Sequence, residues 1–95
     1  MAIKVLISRN IKPNKANEMS ALFKEMRYKA MDTVGYISGE TLREYNNPNH
    51  YLIISTWRSI EDWNNWFNSS QRKEMMKKIE PLLEGPTKIE LFVYP

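Results

Sequence analysis

The sequence contains no cysteine, one histidine and only three glycines among its 95 residues. The lack of cysteine excludes disulfides, thiolate metal ligands and cysteine nucleophiles. A metal site built from paired histidines is excluded too, because His50 has no second histidine to work with. The three glycines lack the spacing of a phosphate-binding loop, which argues against nucleotide or flavin binding through such a loop. We therefore expect no metal and no cofactor.

The sequence also has no large excess of charge of one sign. Fourteen basic and eleven acidic side chains give a net charge of +3, and no basic run is longer than two residues. Nucleic-acid binding usually requires a clustered basic face, so we do not expect it. The apolar stretch at the N-terminus is too short and too interrupted for a signal peptide or a membrane span. We expect a cytoplasmic protein without a membrane partner.

The composition, 42% hydrophobic and 26% charged, is typical of a folded globular protein, and the length suits one domain over residues 1–95. Alternating, β-branched and aromatic residues predict strands over residues 3–11, 36–45, 50–58 and 88–93. Apolar residues spaced by three and four predict a helix from an N-cap at Asn14 to about residue 32.

Two shorter helices are predicted between the third and fourth strands. Ser59 suits the start of the first, because Glu61 and Asp62 follow it and favour the positive end of the helix dipole. Ser70 suits the N-cap of the second helix, and Pro81 should loosen the end of that helix.

The resulting order, β-α-β-β-α-β, predicts an α+β fold of the ferredoxin-like type. In this fold a four-stranded antiparallel sheet carries its helices on one face. Large apolar residues such as Leu52, Ile53 and Ile54 occur at both parities of the strands, so both faces of the sheet require cover. A second copy of the sheet is the simplest cover, and we expect a homodimer.

Several segments resemble a known family. They are GYISGETLR at residues 35–43, LIISTWRS at residues 52–59, and the neighbouring Asp62, Trp63 and Trp66. Together they resemble the antibiotic biosynthesis monooxygenase family over essentially the whole chain. The resemblance implies a dimeric α/β barrel. It also implies a place among cofactor-independent oxygenases of aromatic polyketides and quinols, haem-degrading enzymes and small proteins of unknown role.

The haem-degrading branch of that family uses an Asn near the end of the first strand, a Trp in the short helix, and a His ten residues later. Trp66 matches the Trp, but Ser8 and Met76 occupy the other two positions. Asn10 is nearby, although a shift of two residues would put the strand out of register. The resemblance therefore implies a homologue that lacks this triad.

Aromatic residues are the leading candidates for substrate binding. Trp66, Trp63 and Phe23 could surround a pocket between helices and sheet and stack on a flat substrate, or they could pack the core. Met76 could line the same pocket or fill the core, because methionine is unbranched and adaptable. Trp57, at the end of the third strand, could also anchor a dimer interface.

The polar candidates have equally ordinary alternatives. Arg72 and Arg43 could hold a substrate carboxylate or enolate oxygen, or be solvated surface charges. Ser8 and Asn10 could hydrogen-bond a substrate carbonyl near the pocket, or form the wetter face of their strand. His50 could act as a general acid or base, or lie exposed after a turn.

These observations predict a cofactor-independent monooxygenase acting on a small aromatic or quinol-type substrate. In such an enzyme the deprotonated substrate is itself the reductant, and the protein supplies an apolar cavity, orientation and a few hydrogen bonds. Three alternatives stay open. They are a non-catalytic dimeric ligand-binding or stress-related module, a haem-binding homologue without the triad, and a regulator that acts through its surface.

Overall fold

The architecture is that of a computed structural model that describes residues 1–95, and it confirms the α+β, ferredoxin-like prediction. The elements in chain order are β1 (Ile3–Asn10), α1 (Ala16–Met31), β2 (Tyr36–Glu44), β3 (Asn47–Trp57), α2 (Ile60–Phe67), α3 (Ser70–Ile79), a 3₁₀ turn (Glu80–Leu82) and β4 (Lys88–Val93). None of the helices combines the length and the apolar character needed to cross a membrane.

The four strands form one antiparallel sheet in the order β2-β3-β1-β4. β1 is therefore an interior strand with a partner on each edge. Ile7, for example, lies opposite Ile53 on one side and Ile89 on the other. Residues that lie opposite each other in a sheet project from the same face, so these registers define one face under the helices and one away from them.

The side chains of β1 alternate strictly between the two faces. Ile3, Val5, Ile7 and Arg9 are buried on the helix side. The intervening residues are half-buried or exposed on the other side. The strand thus carries a charged side chain into the layer that its three apolar residues create.

Two apolar clusters fill the space between sheet and helices. The first contains Ile3, Val5, Ile7, Ala30, Trp57, Trp63 and Trp66. The second contains Ile11, Met19, Met75, Met76, Ile79, Leu82 and Leu83. Trp57 is only 1% exposed in the single chain, because its ring lies on the helix side opposite Ile3. The alternative that Trp57 anchors a dimer interface is therefore wrong.

The helix starts are partly as predicted. The Ser59 hydroxyl caps α2 by accepting a hydrogen bond from the Asp62 N–H at 3.2 Å. The α3 cap is Ser69 rather than Ser70, since Ser69 Oγ accepts from the Arg72 N–H at 3.1 Å. Asn14 does not cap α1. It has a φ of 64° in the preceding turn, a conformation that Asn tolerates better than most residues.

The strand boundaries differ from the prediction at the ends. β1 stops at Asn10, and Ile11 forms an isolated bridge with Leu83 instead. β3 begins at Asn47, three residues before the predicted start at residue 50. Pro48 is tolerated there because neither strand ladder pairs it with a partner residue.

Gly35 joins α1 to β2 and holds the start of α2 against that junction. Its φ is +90°, and a Cβ at this position would collide with the side chain of Asp62. Its carbonyl accepts a hydrogen bond from the Arg58 N–H at 2.7 Å. Asp62 in turn accepts from Arg58 Nε at 2.9 Å. The close approach therefore orients the helix that carries Trp63.

Gly35→Ala should lower the free energy of unfolding by more than Gly85→Ala does. Gly85 has a similar φ of +88° but no atom within 4 Å of its would-be Cβ. It thus reports the left-handed backbone cost alone, about 1–2 kcal/mol. Urea unfolding of both variants measures the difference, and equal losses would mean that the contact with Asp62 adds nothing.

Candidate functional site

A cavity lies between the sheet and the helices and has 16 lining residues. The space open to the centres of water molecules inside it is about 70 Å³. One water needs about 10–15 Å³ of such space, so the cavity has room for about five. The exposed lining residues Arg27, Glu40 and Thr41 belong to α1 and β2, which places the mouth on that side. Arg27 spans the mouth by donating from Nη2 to the Gly39 carbonyl at 2.9 Å.

One wall of the cavity is aromatic. Trp57 stacks on Trp66 with ring centroids 6.2 Å apart and a 21° angle between the planes. The edge-on contacts of Trp57 with Trp63 at 5.8 Å and with Tyr36 at 5.4 Å hold it from two further sides. Its indole Nε1 donates to Ser55 Oγ at 3.1 Å. Because these rings fix one another, the wall is rigid where it meets the cavity.

The guanidinium of Arg9 also lines the cavity. The residue is 3% exposed, and its Nε is buried without a hydrogen-bond partner. Its Nη2 donates to the thioether sulfur of Met76 at 3.5 Å, and sulfur is a weak acceptor. Its Cζ lies 5.6 Å from the centroid of the Phe23 ring. Arg9 takes part in none of the ion pairs of the protein. The charge is therefore buried without a counter-ion.

A second buried guanidinium, that of Arg72, also lines the cavity. Arg72 is 7% exposed, and its Cζ lies 4.5 Å from the centroid of the Phe67 ring. Its position depends on Ser69, which accepts from the Arg72 N–H and donates to the Trp66 carbonyl at 2.7 Å. One serine thus links the helix that supplies the tryptophan wall to the helix that supplies the second charge.

Burial shifts the acid–base behaviour of both groups. Desolvation and the charge of Arg72 together lower the pKa of Arg9 to about 10, and desolvation is the larger cause. Desolvation also lowers the pKa of Arg72, while the carboxylate of Glu80 opposes this effect. Both groups still carry their charge near neutral pH. An anion in the cavity would relieve the penalty on each.

No carboxylate side chain of the protein balances these charges from within the cavity. Glu40 is the only acidic residue in the lining. It lies opposite Ile54, which itself lies opposite Leu6, and this register places the Glu40 side chain on the face away from the helices. The cavity therefore has a positive potential and an aromatic wall.

The structure brings four of the predicted binding residues to the cavity, namely Trp66, Trp63, Phe23 and Arg72. Met76 belongs to the second core cluster instead and touches the site only by accepting the hydrogen bond from Arg9.

The other polar candidates lie elsewhere. Ser8 and Asn10 project from the face of β1 away from the helices, so the expectation that Ser8 lies beside the pocket is wrong. His50 pairs with Glu44 on the hairpin, with 2.8 Å between Nδ1 and Oε1. Arg43 is exposed and outside the lining. These four side chains do not converge with the cavity residues.

Arg9 is the site residue that sequence reasoning missed. The available signal was parity, because Arg9 continues the series of Ile3, Val5 and Ile7 on the buried face of an interior strand.

Arg9→Met should raise the free energy of unfolding of the ligand-free protein by about 1–3 kcal/mol. Burial and the charge of Arg72, which together lower the Arg9 pKa to about 10, destabilise the charged form by about 1–3 kcal/mol. A methionine keeps much of the packing without that penalty. Urea unfolding at pH 7 measures the change, with exposed Arg43→Met as the control that should stay within about 0.5 kcal/mol. A marked loss of stability in Arg9→Met would show instead that the guanidinium supports the fold.

The fold recurs in solved structures of low sequence identity. A conserved protein from Methanosarcina mazei Go1 superposes with a TM-score of 0.91 at 23% identity, covering 97% of this chain and 91% of that one. SnoaB from Streptomyces nogalater, described as a cofactor-independent oxygenase, superposes with a TM-score of 0.89 at 15% identity, covering 99% and 93%. At such identities these likenesses establish the fold.

Sequence comparison establishes the family. Protein SchA from Streptomyces halstedii is 26% identical over 83 residues, which are 87% of this chain. The aligned region spans only 22% of the length of SchA. The family model for antibiotic biosynthesis monooxygenases matches residues 2–78, which include β1, the tryptophan wall and both buried arginines. The chain belongs to the antibiotic biosynthesis monooxygenase family.

Proposed function

We propose that the cavity is the active site of a cofactor-independent oxygenase acting on a small aromatic or quinol-type substrate. The observation that carries this proposal is the rigid aromatic wall of Trp57, Trp63 and Trp66 in a cavity that also contains buried guanidinium groups. Family membership and the similarity in fold to a cofactor-independent oxygenase support the class of reaction.

The residues present suit the first steps of such a reaction. A substrate ring packs against the parts of Trp66 and Trp63 that face the cavity. The positive charges of Arg9 and Arg72 lower the pKa of a ring hydroxyl nearby, because they stabilise the anion that its ionisation leaves. The lining offers no inward carboxylate and no histidine, so the proton leaves through water at the mouth beside Arg27.

The ring anion then supplies the electrons for dioxygen. A carbon–oxygen bond forms at the ring, the oxygen–oxygen bond breaks, and the second oxygen atom leaves as water. In the net reaction the substrate gains one oxygen atom and loses two hydrogen atoms. The substrate is oxidised by four electrons and dioxygen is reduced by four, so no external reductant is required.

One observation favours a second candidate, a ligand-binding module without turnover. The cavity contains no side chain that is an ordinary general base at neutral pH. The same wall and charges would then hold an aromatic ligand that is not transformed.

We also propose that the chain forms a homodimer through the face of the sheet away from the helices. By register, this face carries Leu6, Leu52 and Ile54 at its centre, with Leu42 and Phe92 toward the edges. Leu42 is 46% exposed and Phe92 is 48% exposed in the single chain. Apolar residues so placed are covered when two such sheets pack face to face, as in the dimeric α/β barrel that the family resemblance implies.

Oxygen uptake tests the oxygenase directly. Protein dialysed against EDTA should consume oxygen with hydroquinone or 1,4-dihydroxynaphthalene above the protein-free rate. Trp66→Phe should lower kcat/KM by about three- to tenfold through lost stacking surface. Tyr45→Phe, at a fully exposed hairpin position, serves as the control and should not change it. Binding of the same quinols without oxygen uptake would support the non-catalytic module.

Sedimentation equilibrium tests the dimer. The wild-type chain should sediment at twice its 11.3 kDa mass at micromolar concentration. Ile54→Lys should shift it to the monomer by placing a charge at the centre of the apolar face. Tyr45→Lys, outside that face, should leave the dimer intact. A wild-type monomer under these conditions would contradict the proposal.

A further inference from the structure

The two buried arginines favour the binding of a ligand that carries a negative charge. Arg9 has a hydrogen-bond donor, Nε, that is buried and unused, and its only acceptor is a thioether. Neither Arg9 nor Arg72 has a carboxylate within ion-pair distance. Arg9 has no opposing carboxylate, whereas Glu80 partly offsets the charge of Arg72 from beyond ion-pair distance. Unpaired buried charges are costly, and proteins rarely retain them without a use.

The two groups lie close enough in the fold to serve one ligand. Arg72 and Met76 are one turn apart on α3, and Arg9 Nη2 donates to the Met76 sulfur. The charge of Arg72 also lowers the pKa of Arg9. Both line the cavity that the tryptophans bound.

The geometry of a guanidinium favours a carboxylate. Its planar fork of N–H donors matches two carboxylate oxygens, whereas a single phenolate oxygen leaves part of the fork unused. Two guanidiniums lining one cavity therefore suit a ligand that carries a carboxylate.

We infer that Arg9 and Arg72 form a carboxylate subsite, and that the ligand of this cavity is a hydroxylated aromatic acid. This inference rests on the proposed function for the place of the ring, against Trp66 and Trp63. It adds a group to the substrate and assigns a role to Arg9. It also explains why the sheet tolerates an unpaired charge on its interior strand, since the bound acid supplies the missing partner.

Two probes that differ in charge alone test the subsite. Gentisate is a quinol bearing a carboxylate, and gentisamide is the same quinol with a neutral amide. In anaerobic calorimetric titrations at pH 7, gentisate should bind at least about tenfold more tightly than gentisamide, as charge-assisted hydrogen bonds are about twice as strong as neutral ones.

Variants of the two arginines test whether these residues cause the preference for gentisate. In Arg9→Met and in Arg72→Met, the preference for gentisate over gentisamide should fall from at least about tenfold to less than about threefold. Arg43→Met, an exposed arginine outside the cavity, should keep the wild-type preference. Urea unfolding of each variant shows that it is folded, so a lost preference is not a lost fold.

Each other outcome has a distinct meaning. Equal binding of both probes to the wild-type protein overturns the carboxylate subsite but leaves the oxygenase proposal standing. A gentisate preference that survives both arginine variants places the carboxylate elsewhere and overturns the assignment to Arg9 and Arg72. Binding of gentisate with no oxygen uptake for any quinol supports the subsite and overturns the oxygenase.

Discussion

The double pairing of β1 is the constraint on which the site depends. Because β3 and β4 bond to its two edges, the register of β1 cannot slip without breaking two ladders. Helices cover only one face of the sheet, so Ile3, Val5 and Ile7 must lie beneath them. Arg9 shares their parity and is carried into the same layer. The buried charge is thus a direct consequence of the strand pairing, and the cavity forms around it.

Sequence periodicity could predict much of this arrangement. The spacing of Trp63 and Trp66 placed both rings on one helix face, and the structure puts that face toward the sheet. Arg9 shares the parity of Val5 and Ile7, but parity alone does not reveal a cavity beside a buried guanidinium. The sequence predicts helix caps only to within a residue. Adjacent serines 69 and 70 have equal capping ability, and the structure uses Ser69, which accepts from the Arg72 N–H.

The tryptophans of this cavity stabilise the fold, whereas its buried arginines reduce the stability of the fold. The tryptophan wall belongs to the core and holds the helices to the sheet, so it would be retained without any ligand. The arginines differ, because desolvation weakens the fold wherever their charge stays unpaired. Ser69 bonds to the Trp66 carbonyl and the Arg72 N–H and so joins the two helices that carry these side chains. Family membership explains the fold, and it does not by itself define the chemistry of the site.

The central claim is that an acidic aromatic ligand supplies the counter-charge that Arg9 lacks. The most direct measurement is a ¹H–¹⁵N spectrum of the arginine Nε–H groups during an anaerobic titration with gentisate. The account predicts that the signals of Arg9 and Arg72 move together with the indole signals of Trp63 and Trp66, while that of Arg43 stays in place. Movement of the indole signals with an unchanged Arg9 signal would contradict it, because the ring would then bind without engaging the buried charge.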